Sequence, residues 1–406
     1  MFRPRSQQRK PTNPPLAQQP PCFRQRLQSI YSRTSTESTL RKVLSLWQTS
    51  KAPPEPPKPL TSRRWRATQG KDTLKRQLIL EEEIVPTLEP AQVLVKVHAV
   101  SLNFTEVLIL EGKFHAIPRV IPCSDMAGEV VAVGEEVSTV SVGDRVSAGR
   151  LLDFVEGTLG RTDYHHSGTG IYVDGMLDEY KVLPVESLVV IPEHLSYEEA
   201  STLPCVAITA YNCLFGGPKQ VEKGDTLLLI GTGNLSLFAA QFASAVGVNV
   251  IFTTSSDEKV SQLKDMGFTQ FVNYKTNPDW DKEVMDLTGG VGASHIIETG
   301  GMGTLGKSIS CVAMGGWIHA VGFLSEQPNN IDLTFEAIMK NCIIRGVFVG
   351  PNTLFNEMNE FISEKKLRPL VDKIFGFDEV PQAFEYLSSR RSMGKVVIRM
   401  PCVERV

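Results

Sequence analysis

A chain of 406 residues, 42% of them hydrophobic, is long enough for two domains, and its net charge of −3 is unevenly distributed. Residues 1–60 carry eleven Lys and Arg against two Glu, a net charge of +9, so residues 61–406 carry −12. This acidic body argues against a nucleic-acid-binding surface. Because the sequence contains no apolar run of about 18–20 residues, we also expect no membrane-spanning helix.

The cysteines indicate a protein that keeps its thiols reduced. Their number is odd, and no two of them have the Cys-x-x-Cys spacing of a zinc knuckle or a redox motif. The pattern therefore predicts neither a disulfide framework nor a structural zinc site. The seven residues are Cys22, Cys123, Cys205, Cys213, Cys311, Cys342 and Cys402.

Residues 1–60 differ in composition from the rest of the chain. They hold eleven of the 25 prolines and no glycine, which predicts a disordered, basic, Pro-rich tail. Within it, Phe23 to Trp47 is basic, rich in Ser and Thr and poor in acidic residues, which resembles a mitochondrial transit segment. A plain disordered extension is the other interpretation. We expect a cytoplasmic protein, with a mitochondrial location as the alternative.

The chain after the tail predicts two domains of different texture. Residues 61–190 contain short β-like runs separated by turn signals, which indicates a β-rich domain. Residues 191–350 alternate strands with helical stretches, and residues 351–406 add two helical patterns and a last strand, Lys395 to Arg399, that we expect to return to the first domain. Alternating strands and helices favour right-handed crossovers and a doubly wound parallel sheet, so the predicted fold class is α/β.

A glycine turn inside the second domain carries the most information. The apolar run Thr226–Ile230 ends at Gly231, and a helical pattern begins two residues after that. In this strand–turn–helix context Gly231 allows the sharp turn, Gly233 lets a pyrophosphate approach the backbone, and Ser236 permits close packing of helix and strand. The predicted dinucleotide-binding residues of the turn are Gly231, Thr232, Gly233, Asn234, Leu235 and Ser236. A glycine turn in some other α/β domain is the competing interpretation.

The order of elements and several local strings resemble the medium-chain dehydrogenase/reductase superfamily, and within it the zinc-free, quinone-oxidoreductase-like branch. The resemblance covers roughly residues 61–400. Its strings are Val97–Asn103, Pro122–Val130, Val140–Val146, Leu203–Tyr211 and the glycine turn. It implies a GroES-like catalytic domain, a Rossmann domain and an active site in the cleft between them.

The same resemblance predicts that no zinc is bound. The metal-ligand string Gly-His-Glu of the zinc-dependent relatives falls on Cys123, Ser124 and Asp125, so the histidine ligand is missing. The first ligand position falls around Phe104, and the third falls near Cys205, which we interpret as a small buried hydrophobic residue. A catalytic zinc takes three protein ligands, which this set does not provide.

The residues after the second strand of the nucleotide-binding unit favour NADPH over NADH. An NAD-selective unit ends this strand with a carboxylate, whereas here Ser255 and Ser256 follow Thr254, with Lys259 one turn later. By resemblance, Tyr274 would contact the same 2′-phosphate. The alternative is that Asp257 or Glu258 turns toward the ribose of NADH.

Two later loops are expected to line the nicotinamide. Gly300 and Gly301 follow a predicted strand at the carboxyl edge of the sheet, where the backbone has to approach the ribose. The loop after the next strand is in the corresponding place for the ring, and the resemblance puts Phe348 to Gly350 at the mouth of the pocket. The candidate residues of this second loop are Val321, Gly322 and Phe323.

Without a metal, the substrate oxygen has to be polarised by hydrogen-bond donors. The candidate catalytic residues are Asn103, Ser124, Asp125 and Thr209, all placed by resemblance near the nicotinamide or the empty metal position. Several zinc-free relatives place a tyrosine five residues after the asparagine, and here that position is Leu108. Residues 151–176, with Tyr164, His165 and His166, would overhang the cleft, but we interpret them as a solvated surface loop.

These observations predict an NADPH-dependent, zinc-independent oxidoreductase that reduces an activated C=C bond or a quinone. An alcohol dehydrogenase of the same superfamily and a catalytically silent NADPH-binding protein are the alternatives. The expected partners are a small-molecule substrate and, by resemblance, a second copy of the chain paired through the edge strand near residues 341–350.

Overall fold

The structure is a computed structural model that describes residues 59–70, 75–325 and 332–401. The predicted disordered tail, apart from its last two residues, lies outside the described part of the chain. No helix among the described residues is both long enough and apolar enough to span a lipid bilayer.

The described residues form fifteen strands and a set of helices that alternate with them in the second half of the chain. The strands are β1 (Thr61–Gln69), β2 (Arg76–Ile84), β3 (Gln92–Ser101), β4 (Asp125–Val133), β5 (Arg145–Ala148), β6 (Tyr180–Pro184), β7 (Leu188–Val190), β8 (Thr226–Leu229), β9 (Asn249–Thr254), β10 (Gln270–Asn273), β11 (Ala293–Glu298), β12 (Val312–Ala320), β13 (Ile343–Gly346), β14 (Val371–Gly376) and β15 (Lys395–Arg399). The α-helices are α1 (Phe104–Leu110), α2 (Arg161–Ser167), α3 (Tyr197–Ala200), α4 (Ile208–Phe215), α5 (Asn234–Ala245), α6 (Asp257–Asp265), α7 (Trp280–Leu287), α8 (Met302–Cys311), α9 (Leu333–Lys340), α10 (Asn352–Lys365) and α11 (Val380–Ser388), with a π-helical turn at Leu203–Ala207 that leads into α4.

The first domain is built on a seven-stranded sheet with the order β14-β15-β3-β4-β5-β7, and β6 lies beside β3. Strands β1 and β2 form a separate antiparallel pair. The central strand β3 is buried along most of its length because its Val-rich sequence packs on both sides. The last strand, β15, pairs antiparallel with β3, with Val397 opposite Ser101. The last strand of the chain thus belongs to the same sheet as β3.

The second domain is a six-stranded sheet with the order β10-β9-β8-β11-β12-β13, and every neighbouring pair is parallel. The chain moves outward from β8 to β10, then returns to β11 on the other side of β8. The strand order therefore reverses between β8 and β11, which is where a doubly wound sheet opens a crevice for a dinucleotide. The predicted α/β fold class is confirmed.

The edge strand predicted near residues 341–350 is shorter in the structure. It is only Ile343–Gly346, because Asn341 adopts a left-handed conformation with φ of 45° and ends α9.

One hydrophobic core joins the two sheets. It contains Ala127 and Phe154 from the first domain together with Leu229 and Phe252 from the second. Helix α10 lies against this core, and its Asn359 side chain donates a hydrogen bond from Nδ2 to the backbone oxygen of Val190 at 2.9 Å. This shared packing holds the carboxyl edge of the parallel sheet against the ends of β4 and β5, where the candidate site lies.

Candidate functional site

The glycine turn joins β8 to α5 as the sequence predicts. Gly231 has φ of +90°, a conformation that favours glycine, and its N–H donates to Thr253 Oγ1 at 2.9 Å. The hydroxyl at the end of β9 therefore fixes the turn at the end of β8. Thr232 completes this tight connection.

Gly233 caps α5 in an ordinary extended conformation, with φ of −78°. A Cβ placed on it would meet no heavy atom within 4 Å. Neither the backbone nor the packing of the described residues requires glycine there, whereas the close approach of a bound molecule would. Because glycine offers no capping side chain, the first amides of α5, at Asn234, Leu235 and Ser236, face the position that suits a phosphate. The turn therefore fits a dinucleotide pyrophosphate.

The residues at the end of β9 carry hydroxyl groups, and the first carboxylate after them, that of Asp257, is hydrogen-bonded to the neighbouring strand. Ser256 caps α6 by accepting a hydrogen bond from the Lys259 N–H at 3.3 Å, which leaves Ser255 between strand and helix. Asp257 Oδ1 accepts from Asn273 Nδ2 at 3.0 Å. Tyr274, the residue after β10, is exposed. The carboxylate that could have contacted a ribose is thus held against the neighbouring strand.

The loop after β11 is held by a buried carboxylate that sequence reasoning missed. Glu298 is 1% exposed and accepts hydrogen bonds from the amides of Gly300 at 2.7 Å and Gly301 at 3.1 Å. Both amides are therefore already hydrogen-bonded within the protein. What the two glycines offer a ligand is space, because they have no side chain. Thr304 Oγ1 also donates to this carboxylate, at 2.6 Å.

The loop after β12 begins beside this carboxyl-edge turn. Val321 and Gly322 donate their amides to the backbone oxygen of Glu298 at 2.9 and 3.2 Å. A Cβ on Gly322 would come within 2.5 Å of the Thr299 backbone oxygen, so the two loops pack directly together. Phe323 is 73% exposed. Val321 and Gly322 therefore lie beside the end of β11, and the Phe323 side chain is exposed.

Three of the four candidate catalytic residues meet in one buried polar network. Ser124 donates its hydroxyl proton to Asp125 Oδ1 at 2.7 Å, and Asn103 Nδ2 lies 3.5 Å from Ser124 Oγ. Lys395, the first residue of β15, is 1% exposed and places Nζ 2.8 Å from Asn103 Oδ1 and 3.2 Å from Asp125 Oδ2. A buried lysine paired with a buried aspartate completes the network at its inner side.

The outer side of the network is formed by Arg150, which follows β5. Its Nη1 donates to Ser124 Oγ at 2.9 Å and to Cys205 Sγ at 3.2 Å. Burial raises the pKa of the Cys205 thiol to about 11, against the attraction of Arg150, so the group is a neutral thiol at neutral pH. Burial lowers the pKa of Arg150, but nearby anionic groups that include Glu106 and Asp125 more than offset this and the net shift is upward. Arg150 is thus a fixed cation.

A second acid, Glu106, lies beneath this network in α1. Its Oε2 accepts the backbone N–H of Asn103 at 2.8 Å, which fixes the start of the helix and the orientation of Asn103. Burial raises the pKa of Glu106 to about 7; Asp125 acts in the same direction, whereas Arg150 opposes the shift. The charge of the site therefore changes near neutral pH.

Comparison with known proteins agrees with this architecture. Residues 89–193 match the alcohol dehydrogenase GroES-like domain, and residues 235–364 match the zinc-binding dehydrogenase family. A zinc-type alcohol dehydrogenase-like protein of Schizosaccharomyces pombe is 42% identical over 339 residues, which covers 82% of this chain and 96% of that protein. The chain belongs to the medium-chain dehydrogenase/reductase superfamily. It is an oxidoreductase of that superfamily.

Two further relatives of this medium-chain dehydrogenase/reductase have different names. A quinone oxidoreductase-like protein 2 homolog of Nematostella vectensis is 31% identical over 339 residues, covering 80% of this chain and 86% of that protein. A crystal structure described as an alcohol dehydrogenase from Sinorhizobium meliloti has a TM-score of 0.77 and 32% identity, covering 84% of this chain and 98% of that one.

The side chains at the metal position of the superfamily do not fit zinc. The described residues contain no group of three or more His, Cys, Asp or Glu that could hold a metal ion. The position holds a serine hydroxyl, an asparagine amide, one neutral thiol, the Asp125 carboxylate already bound by Ser124 and Lys395, and two cations, Lys395 and Arg150. Zinc requires three anionic or imidazole ligands around an open position, and a guanidinium and an ammonium repel a metal ion.

The structure corrects one interpretation from the sequence and adds contacts at two other positions. Around the first metal-ligand position, the Phe104 ring lies 4.7 Å from the Arg390 guanidinium, and the neighbouring Asn103 side chain joins the buried network. Cys205 is not simply a buried hydrophobic residue, since it accepts a hydrogen bond from Arg150. Thr209 donates its hydroxyl to the Cys205 backbone oxygen at 2.7 Å, so toward a ligand it can only accept a hydrogen bond.

The segment 151–176 is also not a solvated loop. Tyr164, in α2, packs edge-on against the Phe348 ring at 4.9 Å between centroids and against Tyr172 at 5.0 Å. His165 is exposed and stacks edge-on with Tyr172. Burial raises the pKa of Tyr164, so its phenol keeps its proton at neutral pH. The segment covers one side of the pocket that Phe348 was predicted to close.

The sequence did not identify Arg150, Lys395 or Glu106 as members of the site, whereas Tyr164 was expected to overhang the cleft as part of a solvated loop. A charged residue shortly after a strand, as in Ala148-Gly-Arg150, predicts the start of an exposed loop. A lysine that begins the last strand, as Lys395 does, predicts an exposed charge at the end of that strand. The only sequence signal was Asn103-Phe-Thr-Glu106, a capping pattern at the start of a helix.

The raised pKa of Glu106 makes the stability of the protein depend on pH. The carboxyl is protonated in both states below about pH 4.5, and above that only the unfolded chain releases its proton until the pH passes the folded pKa of about 7. Stability from this group is therefore lost as the pH rises, by about 3 kcal/mol at most. We expect Glu106→Gln, which keeps an acceptor for Asn103, to reduce the loss of unfolding free energy between pH 5 and pH 8, measured by urea denaturation.

The control is Glu364→Gln, whose side chain is exposed, and it should follow the wild-type trend. Equal pH trends for wild type and Glu106→Gln would show that Glu106 is ionised throughout.

Proposed function

We propose that this chain is an NADPH-dependent, zinc-independent reductase of an activated C=C bond or a quinone. The observation that carries the proposal is the buried network of Asn103, Ser124, Asp125, Lys395 and Arg150 at the superfamily's metal position, a set of hydrogen-bond donors and cations in place of metal ligands. Such a set suits an oxygen that gains negative charge as the reaction proceeds.

The dinucleotide, when bound, supplies a hydride to the β-carbon of an enone or to a quinone carbonyl. The residues of the chain do the rest. Gly231, Gly233 and the start of α5 hold the pyrophosphate, and the loops after β11 and β12 hold the nicotinamide end at the switch point. In the enone case the π electrons move onto oxygen as the hydride arrives, and water then protonates the α-carbon to give the saturated ketone.

NADPH is proposed because of the groups around the tip of β9. Ser255, Ser256, Lys259 and Tyr274 would surround the 2′-phosphate, and Asp257 is engaged by Asn273. A dianionic phosphate near an ammonium is favourable, and Asp257, one of the two carboxylates that could bind a ribose hydroxyl instead, already accepts from Asn273.

An alcohol dehydrogenase is the second candidate, favoured by the name of the 32%-identical Sinorhizobium meliloti structure. It would use the same hydride path in reverse and would oxidise an alcohol. A protein that binds NADPH without turnover is the remaining alternative.

The deciding experiment measures NADPH oxidation by the full chain with 2-cyclohexenone and with 1,4-benzoquinone, alongside metal analysis of the same sample. We expect substrate-dependent NADPH consumption that survives prior treatment with a chelator, and no stoichiometric zinc. Gly233→Val is the control, because its side chain fills the space beside the turn and should abolish cofactor binding. Loss of activity with the chelator and recovery with zinc, oxidation of alcohols alone, or tight NADPH binding with no turnover would each contradict the proposal.

The cofactor preference has its own test. The double variant Lys259→Ala, Tyr274→Phe should weaken NADPH binding about tenfold or more, because it removes the charge and the hydroxyl proposed to bind the 2′-phosphate, and should spare NADH. Dissociation constants come from quenching of protein fluorescence. Lys264→Ala, in the last turn of the same helix, is the matched control. An equal loss for both cofactors would show that these residues do not bind the 2′-phosphate.

We also propose that the protein is a homodimer. Strand β13 is the last strand of the six-stranded sheet in the described chain, and apolar side chains beside it are exposed. They are Phe335, Ile338, Met339, Ile343 and Ile344, between 38% and 69% exposed. An apolar face next to an open strand edge suits a second copy related by a two-fold axis, since both copies then bury the same surface.

Sedimentation velocity tests the dimer. We expect wild type at micromolar concentration to sediment as a dimer and Ile338→Glu, which puts a charge into the apolar face, to sediment as a monomer. Val291→Glu, in a turn where the side chain is 70% exposed, should remain dimeric. A monomeric wild type would overturn the proposal.

A further inference from the structure

Arg150 contacts the residues at two positions that correspond, by the resemblance, to metal ligands of the zinc-dependent relatives. Its Nη1 bonds at once to Ser124 Oγ and Cys205 Sγ, at 2.9 and 3.2 Å. By the resemblance these residues stand at the second and third ligand positions, which come from opposite sides of the site: Ser124 precedes β4 and Cys205 lies in the turn before α4. One guanidinium nitrogen therefore bridges two positions that a metal ion would otherwise bridge.

Among the residues whose side chains are described, Arg150 has no contacting anion. The residue is 6% exposed, and no carboxylate oxygen of those residues forms an ion pair with it within 4.0 Å. Asp125, the carboxylate that accepts from Ser124, is already paired with Lys395 at 3.2 Å. A buried cation without a contacting anion is costly to maintain, and an anionic oxygen brought by a ligand would relieve that cost.

The guanidinium is buried but lies next to accessible groups. Its Cζ is 5.9 Å from the centre of the Phe348 ring, which is 44% exposed, and Cys205 is partly exposed. Phe348 in turn contacts Tyr164, so two aromatic rings lie beside the guanidinium. Both side-chain hydrogen bonds of Arg150 to residues with described side chains are made by the single atom Nη1, and a guanidinium has five N–H donors in one plane.

We propose that Arg150 replaces the metal of the zinc-dependent relatives as the group that binds and polarises the substrate oxygen. This inference rests on the proposed reductase function. The ligand class is a conjugated carbonyl compound: when the β-carbon accepts the hydride, the C=C π bond breaks, a new C–H bond forms and the carbonyl oxygen becomes an enolate. Arg150 donates hydrogen bonds to that oxygen, water returns a proton to the α-carbon, and the dinucleotide is left oxidised.

The test compares Arg150→Gln and Arg150→Lys with wild type in two assays. With 2-cyclohexenone and NADPH, we expect kcat to fall about 100- to 1,000-fold in Arg150→Gln, because a positioned donor is lost where charge develops. Arg150→Lys, which keeps the charge without the planar fork, should lie between them. The affinity for NADPH should not change, and neither should any parameter of Arg368→Gln, a surface arginine paired with Glu199.

The second assay does not depend on turnover. The complex of the protein with NADP⁺ is titrated with 4-nitrophenolate, a flat aromatic oxyanion whose absorbance shifts on binding a cation. We expect wild type to bind it and Arg150→Gln to bind it at least about tenfold more weakly. Wild-type affinity for the probe or wild-type kcat in Arg150→Gln would overturn the inference. If wild type binds NADPH but reduces neither enone nor quinone, the proposed function fails, and the probe titration still decides whether Arg150 binds an oxyanion.

Discussion

The Asp125 carboxylate is fully buried, and the cation that compensates it, Lys395, lies 270 residues further along the chain. Breaking a buried pair of this kind costs about 3–5 kcal/mol, because the remaining charge is left without solvent or partner. The pairing of β15 with β3 therefore places the Lys395 ammonium group beside Asp125, and this ion pair allows the Asp125 carboxylate to remain buried in the first domain. Asn103 and Ser124 take their orientations from the same pair, since Lys395 binds Asn103 and Asp125 accepts from Ser124.

The arrangement explains how one scaffold can work with or without a metal. A catalytic zinc is a cation held by anionic ligands contributed from several strands and loops. Here the positions that correspond by resemblance hold Ser124 and a protonated Cys205, and the Arg150 guanidinium bonds to both. In the proposed reaction a positive group therefore lies near the substrate oxygen, as a zinc ion does in the zinc-dependent relatives. A guanidinium differs from a zinc ion in that it acts through directional N–H hydrogen bonds and needs no coordinating side chains to hold it.

The sequence predicted the parts of the site that depend on residues close to one another in the chain. The glycine turn, the order of strands and helices, and the hydroxyl-rich end of β9 are each encoded within about thirty residues, and the structure contains all three. Asn103, Ser124 and Asp125 were placed by resemblance, and they do lie together. Arg150 and Lys395 could not be found in this way. Their roles depend on pairings across 55 and 270 residues, between Arg150 and Cys205 and between Lys395 and Asp125.

Tyr164 was misread for a related reason. The segment around it is rich in glycine and polar residues, which is typical of a surface loop, whereas its packing depends on contact with Phe348, a residue distant in sequence that follows β13.

The role of Glu106 likewise depends on residues distant in sequence. Its sequence context indicates a helix start, and its raised pKa comes from burial beside Asp125 and Arg150. When its carboxyl is protonated, Asp125 alone faces Lys395 and Arg150 and the network is net cationic. When Glu106 ionises, the network becomes neutral. The proposed binding of an oxyanion by Arg150 would therefore be strongest below the pKa of Glu106, although Glu106 need not contact the ligand.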